Sequence, residues 1–148
     1  MKIGLISDTH GFVDPAILAE LRGMDLILHA GDVGTNAVLA ELGRLAPLRA
    51  VRGNTDRSGR AGELPPSLRL SLEGHDLVLI HDLGRLPRFP PAGADIVVHG
   101  HTHRARIEKD GGTLVVNPGS ASRPRGGGPS LGLLTLRKGR SEARIVCP

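Results

Sequence analysis

Two pairs of residues spaced two apart, Asp8 with His10 and His101 with His103, are the most chemically informative feature of this sequence. In an extended segment, residues i and i+2 point to the same side, so each pair can converge on one ion. Asp32, Asn54 and His81 extend the set to two carboxylates, one amide and four imidazoles. That mixture suits zinc, iron, manganese, nickel or cobalt better than magnesium alone, because nitrogen ligands favour transition metals. If one Asp bridges two divalent ions, they sit roughly 3.5–4 Å apart, the separation at which a metal pair clamps the attacking and leaving oxygens of a displacement. The expected nucleophile is then a metal-bridging hydroxide. Two such ions, two carboxylates and a hydroxide carry a net charge of about +1, which a singly charged phosphodiester offsets. A dianionic monoester calls for a further cation or donor. The expected reaction is therefore hydrolysis of a small phosphodiester, with phosphomonoester hydrolysis as the alternative.

Each of these residues stands where an apolar run ends. Ile3 to Ser7 leads into Asp8, Leu26 to His29 into Asp32, Arg49 to Arg52 into Asn54, Val78 to Ile80 into His81, and Ile96 to Val98 into His101 and His103. A lone strand-end histidine is ordinarily a hydrogen-bonded structural residue. Four in register with two Asp and one Asn are explained at once by a metal pair. Asn54 can also be read as a turn residue. His29 and His99 lie within the strands and fit either support of the ligands or plain core packing. His75 falls in a hairpin turn and is expected to be solvated. Phe12 reads as a loop packing residue or, less simply, a substrate platform. Arg57 and Arg60, and Arg123 and Arg125, are expected to be solvated, with contact to a substrate phosphate as the alternative.

The elements that must position these groups follow from the apolar pattern. Strands are expected at about 2 to 7, 25 to 29 and 48 to 52, with helices at about 14 to 22, where Asp14 caps and Pro15 opens, and at 35 to 45, capped by Thr35. A βαβαβ order implies a mostly parallel sheet with ligand sites at the carboxyl ends of its strands. From Pro65-Pro66 onwards the chain reads as strands at about 67 to 72, 76 to 81, 95 to 98, 104 to 108, 113 to 117, 130 to 136 and 141 to 147. Stretches 84 to 93 and 118 to 129 read as loops. Two face-to-face sheets with helices outside accommodate both halves in a single domain over 1–148.

Composition narrows the partners. With 148 residues and 39% apolar content the chain can fill one core, and that core is aliphatic, since Phe12 and Phe89 are its only aromatic residues. Base stacking is then a poor basis for binding single strands. The formal charge of +4 is spread without a basic block, so the sequence carries no strong nucleic-acid signal. Cys147 is the single cysteine, and Met1 runs straight into an apolar strand without a cleavable leader, so a cytoplasmic location is expected. No segment has the roughly 20 apolar residues of a membrane helix, and no membrane role is expected. Oligomeric state is open, with a homo-oligomer compatible with everything above.

The ordered segments Asp8-Thr9-His10, Gly31-Asp32, Gly53-Asn54-Thr55-Asp56, His81 and Gly100-His101-Thr102-His103, followed by Asn117-Pro118-Gly119-Ser120, resemble the calcineurin-like metallophosphoesterase superfamily and its compact bacterial and archaeal phosphodiesterases. The resemblance implies a four-layer α/β/β/α sandwich of two mixed sheets and two divalent metal ions. It implies that Asp8, His10, Asp32 and His103 hold one ion, that Asp32, Asn54, His81 and His101 hold the other, and that Asn54 and Thr55 lie near the substrate phosphate. A non-catalytic scaffold is the alternative from another class, because the family resemblance extends to a retromer subunit that acts through protein contacts. Two positions depart from the pattern. Thr55 stands where many members carry a His that protonates the leaving group, and Asp56 is expected to be placed to orient such a His. Asp82 stands where Gly is common, and either lowers the positive charge of the site or points outward.

Overall fold

The computed structural model describes residues 1–122 and 127–148, so Arg123 and Arg125 lie outside the described residues. One sheet is built from β1 (Lys2–Ile6), β2 (Leu26–His29), β3 (Leu48–Ala50), β9 (Leu131–Arg137) and β10 (Arg140–Val146), in the order β10-β9-β1-β2-β3. Here β1, β2 and β3 run parallel, while β9 is antiparallel to β1. The second comprises β4 (Ser67–Leu72), β5 (His75–Ile80), β6 (Ile96–Val98), β7 (Arg106–Asp110) and β8 (Thr113–Asn117), ordered β4-β5-β6-β8-β7 with β5, β6 and β8 parallel. Both sheets are therefore mixed: the first is antiparallel at its β9–β10 edge and parallel through to β3, and the second has a parallel centre with antiparallel strands at both edges.

Side-chain alternation explains why the sheets stack. Ile3, Leu5, Leu26 and Leu28 pack with Leu77, Leu79, Ile96 and Val98 between the sheets. The intervening Ile6 and Ile27 face outward onto helices, packing with Ile17, Leu21, Val38 and Leu42. Strands buried on both faces must be apolar at every position, which is why they read as continuous runs. Each fully buried Leu or Ile contributes roughly 1.5–3 kcal/mol. Over the second sheet, Val78, Val97 and Val115 are covered by Leu83 and Leu86, from a 3-10 turn at Leu83–Arg85 and the residue after it. That outer layer is thin.

Helix α1 (Pro15–Glu20) starts as its sequence predicts, with Asp14 accepting a hydrogen bond from the Ala16 amide at 2.9 Å. Thr35 precedes α2 (Asn36–Gly43) but makes no side-chain cap bond, because its methyl lies over Gly11 instead. The short α3 (Gly59–Gly62) and the 3-10 turn have no apolar periodicity and are not foreseen from sequence.

His75 differs from expectation. Glu73 and Gly74, both at positive φ, complete the turn by themselves, so His75 already pairs with Leu72 inside β5. The residue is 9% exposed and Nε2 donates to the Arg137 carbonyl at 2.7 Å, tying the second sheet to the first. Among the described residues, no helix is long and apolar enough to cross a membrane.

Candidate metal centre

The parallel strands of both sheets end at one edge. From the first sheet, β1 delivers Asp8 and His10, β2 delivers Asp32 and β3 delivers Asn54; from the second, β5 delivers His81 and β6 delivers His101 and His103. All seven residues singled out by sequence are brought together. Donor atoms of Asp8, His10, Asp32 and His103 lie within 4.8 Å of one another, a spacing from which one cation can be held. His103 Nε2 is 3.2 Å from Asp8 Oδ1 and 3.3 Å from His10 Nε2. Beside them, His81 Nε2 lies 3.4 Å from Asp32 Oδ2 and 3.0 Å from Asn54 Oδ1. The His101 ring meets the His81 ring edge-on, with centroids 5.2 Å apart. Asp32 thus stands between two groups of donors.

Asp8 shows what the arrangement is built for. Its Oδ2 accepts from the Ser7 hydroxyl at 2.7 Å and from the His101 amide at 3.1 Å. Its Oδ1 is buried and, among the described residues, is the only such side-chain oxygen or nitrogen without a hydrogen-bond partner. A buried carboxylate oxygen left so is costly unless a cation meets it. The donor set fits a divalent metal.

The backbone tells the same story. Asp8, His10, Asp32, His101 and His103 all adopt positive φ, between 48° and 75°, and Glu73 is the only other non-glycine described residue that does. Left-handed backbone costs roughly 1–2 kcal/mol at a residue with a Cβ, and such strain collects at functional sites. Gly53 and Gly100 make the close packing possible, since a Cβ on Gly53 would strike Asp32 and one on Gly100 would strike the Ser7 hydroxyl and Asp8.

A ring of polar residues holds the donors in place. The Ala30 carbonyl accepts from His81 Nδ1 at 2.7 Å, which leaves Nε2 as the nitrogen facing Asp32. Burial opposes protonation of His81, but the Asp32 and Asp8 carboxylates overcome it and its pKa is raised. Burial likewise favours the neutral form of Asp32, yet hydrogen bonding from His81 and the Thr55 amide holds its pKa far below the ordinary carboxylate range. His29 is fully buried between the loops. Its Nδ1 accepts from the Gly31 amide, its Nε2 donates to Thr9 Oγ1, and Thr9 donates onward to the Val33 carbonyl. Desolvation lowers its pKa to about 4, outweighing the pull of Asp56 and Asp32. His29 therefore supports the site, while His99, buried and also lowered chiefly by desolvation, sits beside the Gly100 carbonyl.

Several supporting residues escape a sequence reading. Asp56, expected to orient a side chain at position 55, is instead buried with its oxygens taken by the amides of Val33, Gly34 and Gly53. It staples the Asp32 loop to the Asn54 loop. Asn117 donates to the Gly100 carbonyl and the Thr102 hydroxyl, while the Ser120 and Ser122 hydroxyls donate to the carbonyls of Asp8 and Thr9. Their only local signal is the turn chemistry of Asn117-Pro118-Gly119-Ser120. Asp82 caps the 3-10 turn through the Gly84 amide and stands 3.9 Å from His101, on the margin of the centre. Phe12 is 58% exposed and belongs to none of the buried clusters. Arg57 and Arg60 are exposed as expected, and Arg57 borders a cleft beside Asn54 and His81.

A sequence profile of the calcineurin-like phosphoesterase superfamily domain matches residues 1–139, nearly the whole chain. The chain belongs to this superfamily. A probable metallophosphoesterase of Methanothermobacter thermautotrophicus is 35% identical over 99% of this chain and 92% of its own. A phosphodiesterase of Methanocaldococcus jannaschii is 30% identical over 93% and 95%. Among solved structures, the phosphoesterase Yfce of Escherichia coli superposes with a TM-score of 0.72 at 29% identity, covering 99% of both chains. Vps29 of Entamoeba histolytica, solved with zinc, reaches a TM-score of 0.78 at 20% identity over 99% and 98%, a likeness of fold. The superfamily is that of metal-dependent phosphoesterases, and the α/β architecture of two mixed sheets is the family's.

Proposed function

We propose that this protein is a phosphodiesterase that uses two divalent ions, the first held by Asp8, His10, Asp32 and His103 and the second by Asp32, Asn54, His81 and His101. The observation that carries this reading is the buried, unpartnered Asp8 Oδ1 among the imidazoles of His103, His10 and His81. When bound, such a pair supplies a hydroxide nucleophile at neutral pH and stabilises charge on the phosphoryl oxygens. The chain itself provides the orientation. His81 presents Nε2 because the Ala30 carbonyl takes its other nitrogen, and Asp32 turns Oδ2 inward because the Thr55 amide takes Oδ1. Asn54 and Thr55, both exposed, would meet the substrate phosphate. A relative named as a phosphodiesterase along nearly its full length supports the diester preference.

The test is reconstitution of metal-free protein with manganese, nickel, iron, cobalt or zinc, followed by assay on diester and monoester substrates. The proposal expects metal-dependent turnover with diesters preferred. Uptake of metal without turnover of any ester would favour a scaffold acting through protein contacts.

A further inference from the structure

Resting on that reading, we propose that the cleft beside the metal centre is an anion subsite, in which Arg52, Arg57 and Arg85 take a second phosphoryl group on the substrate, distant from the ester that is cleaved. The cleft has a volume of about 650 Å³ and runs from Asn54 and His81 past these three arginines. That is room for a ligand well beyond a single phosphate, within the usual span for small-molecule sites. The arginines come from three separate segments: Arg52 just after β3, Arg57 before α3, and Arg85 from the 3-10 turn over the second sheet. Convergence of exposed cations from both sheets on one cleft is unfavourable unless something negative meets them.

Among the described residues, no carboxylate of the cleft forms an ion pair with them. Arg69, Arg106 and Arg140 each form an ion pair with a neighbouring carboxylate, and no such pair forms at Arg52, Arg57 or Arg85 among the described residues. The two acids in the cleft wall keep their charge but direct their hydrogen bonds to backbone amides, leaving three guanidinium groups against two carboxylates. Asp56 accepts from three backbone amides and Asp82 from the Gly84 amide. Arg52 reaches only the Gly62 carbonyl, through Nη1 at 3.4 Å. The lining otherwise consists of Gly, Pro66, Ser67 and Ile80, with no aromatic face for a base or sugar to stack upon. Recognition there is by charge, and guanidinium groups bind phosphoryl oxygens through paired hydrogen bonds. With three cations against two carboxylates the cleft stays net positive, and a phosphoryl group offers more oxygens to paired guanidinium hydrogen bonds than a carboxylate does.

A matched pair of probes tests this: thymidine 5′-(4-nitrophenyl phosphate) with and without a 3′-phosphate, assayed with metal-loaded protein. The proposal expects the 3′-phosphate to raise kcat/KM by about 10-fold or more, mainly through KM, the effect of one charge-assisted contact. Arg57→Gln and Arg85→Gln should shrink that ratio, whereas Arg44→Gln, removing an exposed charge at the end of α2, should not. Calorimetric binding of thymidine 3′,5′-bisphosphate against thymidine 5′-monophosphate supplies a readout without turnover. If neither ester is cleaved but the bisphosphate binds about 10-fold tighter and loses that advantage in the two variants, the hydrolytic reading falls and the subsite stands. A ratio near one in wild-type protein, or one that Arg44→Gln lowers as much as the cleft variants, overturns the subsite.

Discussion

His81 Nδ1 sits 2.7 Å from the carbonyl oxygen of Ala30, and because a carbonyl only accepts, the proton of the neutral ring is on Nδ1 and Nε2 is left to face Asp32. The bond spans the two sheets and sets the tautomer of a side chain at the heart of the centre. Such support of a ligating imidazole by a backbone carbonyl is a common means of orienting it.

Substitution of His81 should therefore separate the two proposed ions. Wild-type protein is expected to take up about two divalent ions per chain, and His81→Ala about one, since the four donors around Asp8 stay in place. Metal analysis after reconstitution and desalting checks this. Equal uptake by both proteins would contradict the assignment of His81.

Asp32→Asn should abolish most turnover while leaving the fold intact. Its carboxylate stands between the two donor groups, and the amide keeps an oxygen to accept from Thr55. Near-normal kcat at saturating metal, with unchanged circular dichroism, would remove Asp32 from the centre.

Asp56 should behave in the opposite manner, as a stability residue. Asp56→Ala strips partners from the buried amides of Val33 and Gly53 and from that of Gly34, and a loss of about 3 kcal/mol or more is expected. Urea unfolding of metal-free protein measures it. A loss below about 1 kcal/mol would mean that water replaces the carboxylate.

His29 should impose a pH dependence on the metal-free protein. Burial lowers its pKa in the folded chain from 6.5 to about 4, so folding favours the neutral ring. Its contribution is fully present above pH 6.5 and is lost as pH falls from there towards 4, a span worth ~3 kcal/mol. Urea unfolding at pH 7 and pH 4.5, in wild type and His29→Gln, isolates the effect. The wild type should lose more stability than the variant, and parallel losses would rule His29 out as the cause.

Thr55→His should help poor leaving groups least where an orienting partner is missing. Thr cannot protonate a leaving oxygen near neutral pH, so the wild type should prefer nitrophenyl over alkyl diesters. The Asp56 oxygens are already engaged, so an imidazole at 55 gains no carboxylate support, and a gain below about 10-fold in kcat/KM for alkyl esters is expected. A larger gain would show that another group orients the ring.

The strands were readable because their central members are apolar on both faces and stop abruptly at Gly, Asp or His, as at Leu26 to His29 and Ile96 to Val98. The seven candidate donors were readable for the same reason, since each marks the end of such a run. What escaped depends on contacts distant in sequence. Nothing near Asp56 announces that it will accept from Val33 and Gly34, more than 20 residues away. His75 looked solvated beside its turn, and only the stacking of the sheets brings the Arg137 carbonyl to its ring. The cleft arginines were equally hidden: Arg52 and Arg85 carry no local mark, and their meeting is a product of two sheets closing on each other.

That closure has a bearing on how the protein assembles. Asp8 and His103 are adjacent in space yet 95 residues apart in the chain, and they arrive on different sheets. Neither sheet alone brings Asp8 and His103 together, so this part of the centre exists only after the two have docked in register. Metal affinity is then a gauge of maturation as well as of chemistry. Intermediates with only the first sheet formed hold Asp8, His10 and Asp32 but lack His103 and should bind ions more weakly than the docked protein, so the appearance of tight binding during refolding should mark the moment at which the interior between the sheets becomes dry.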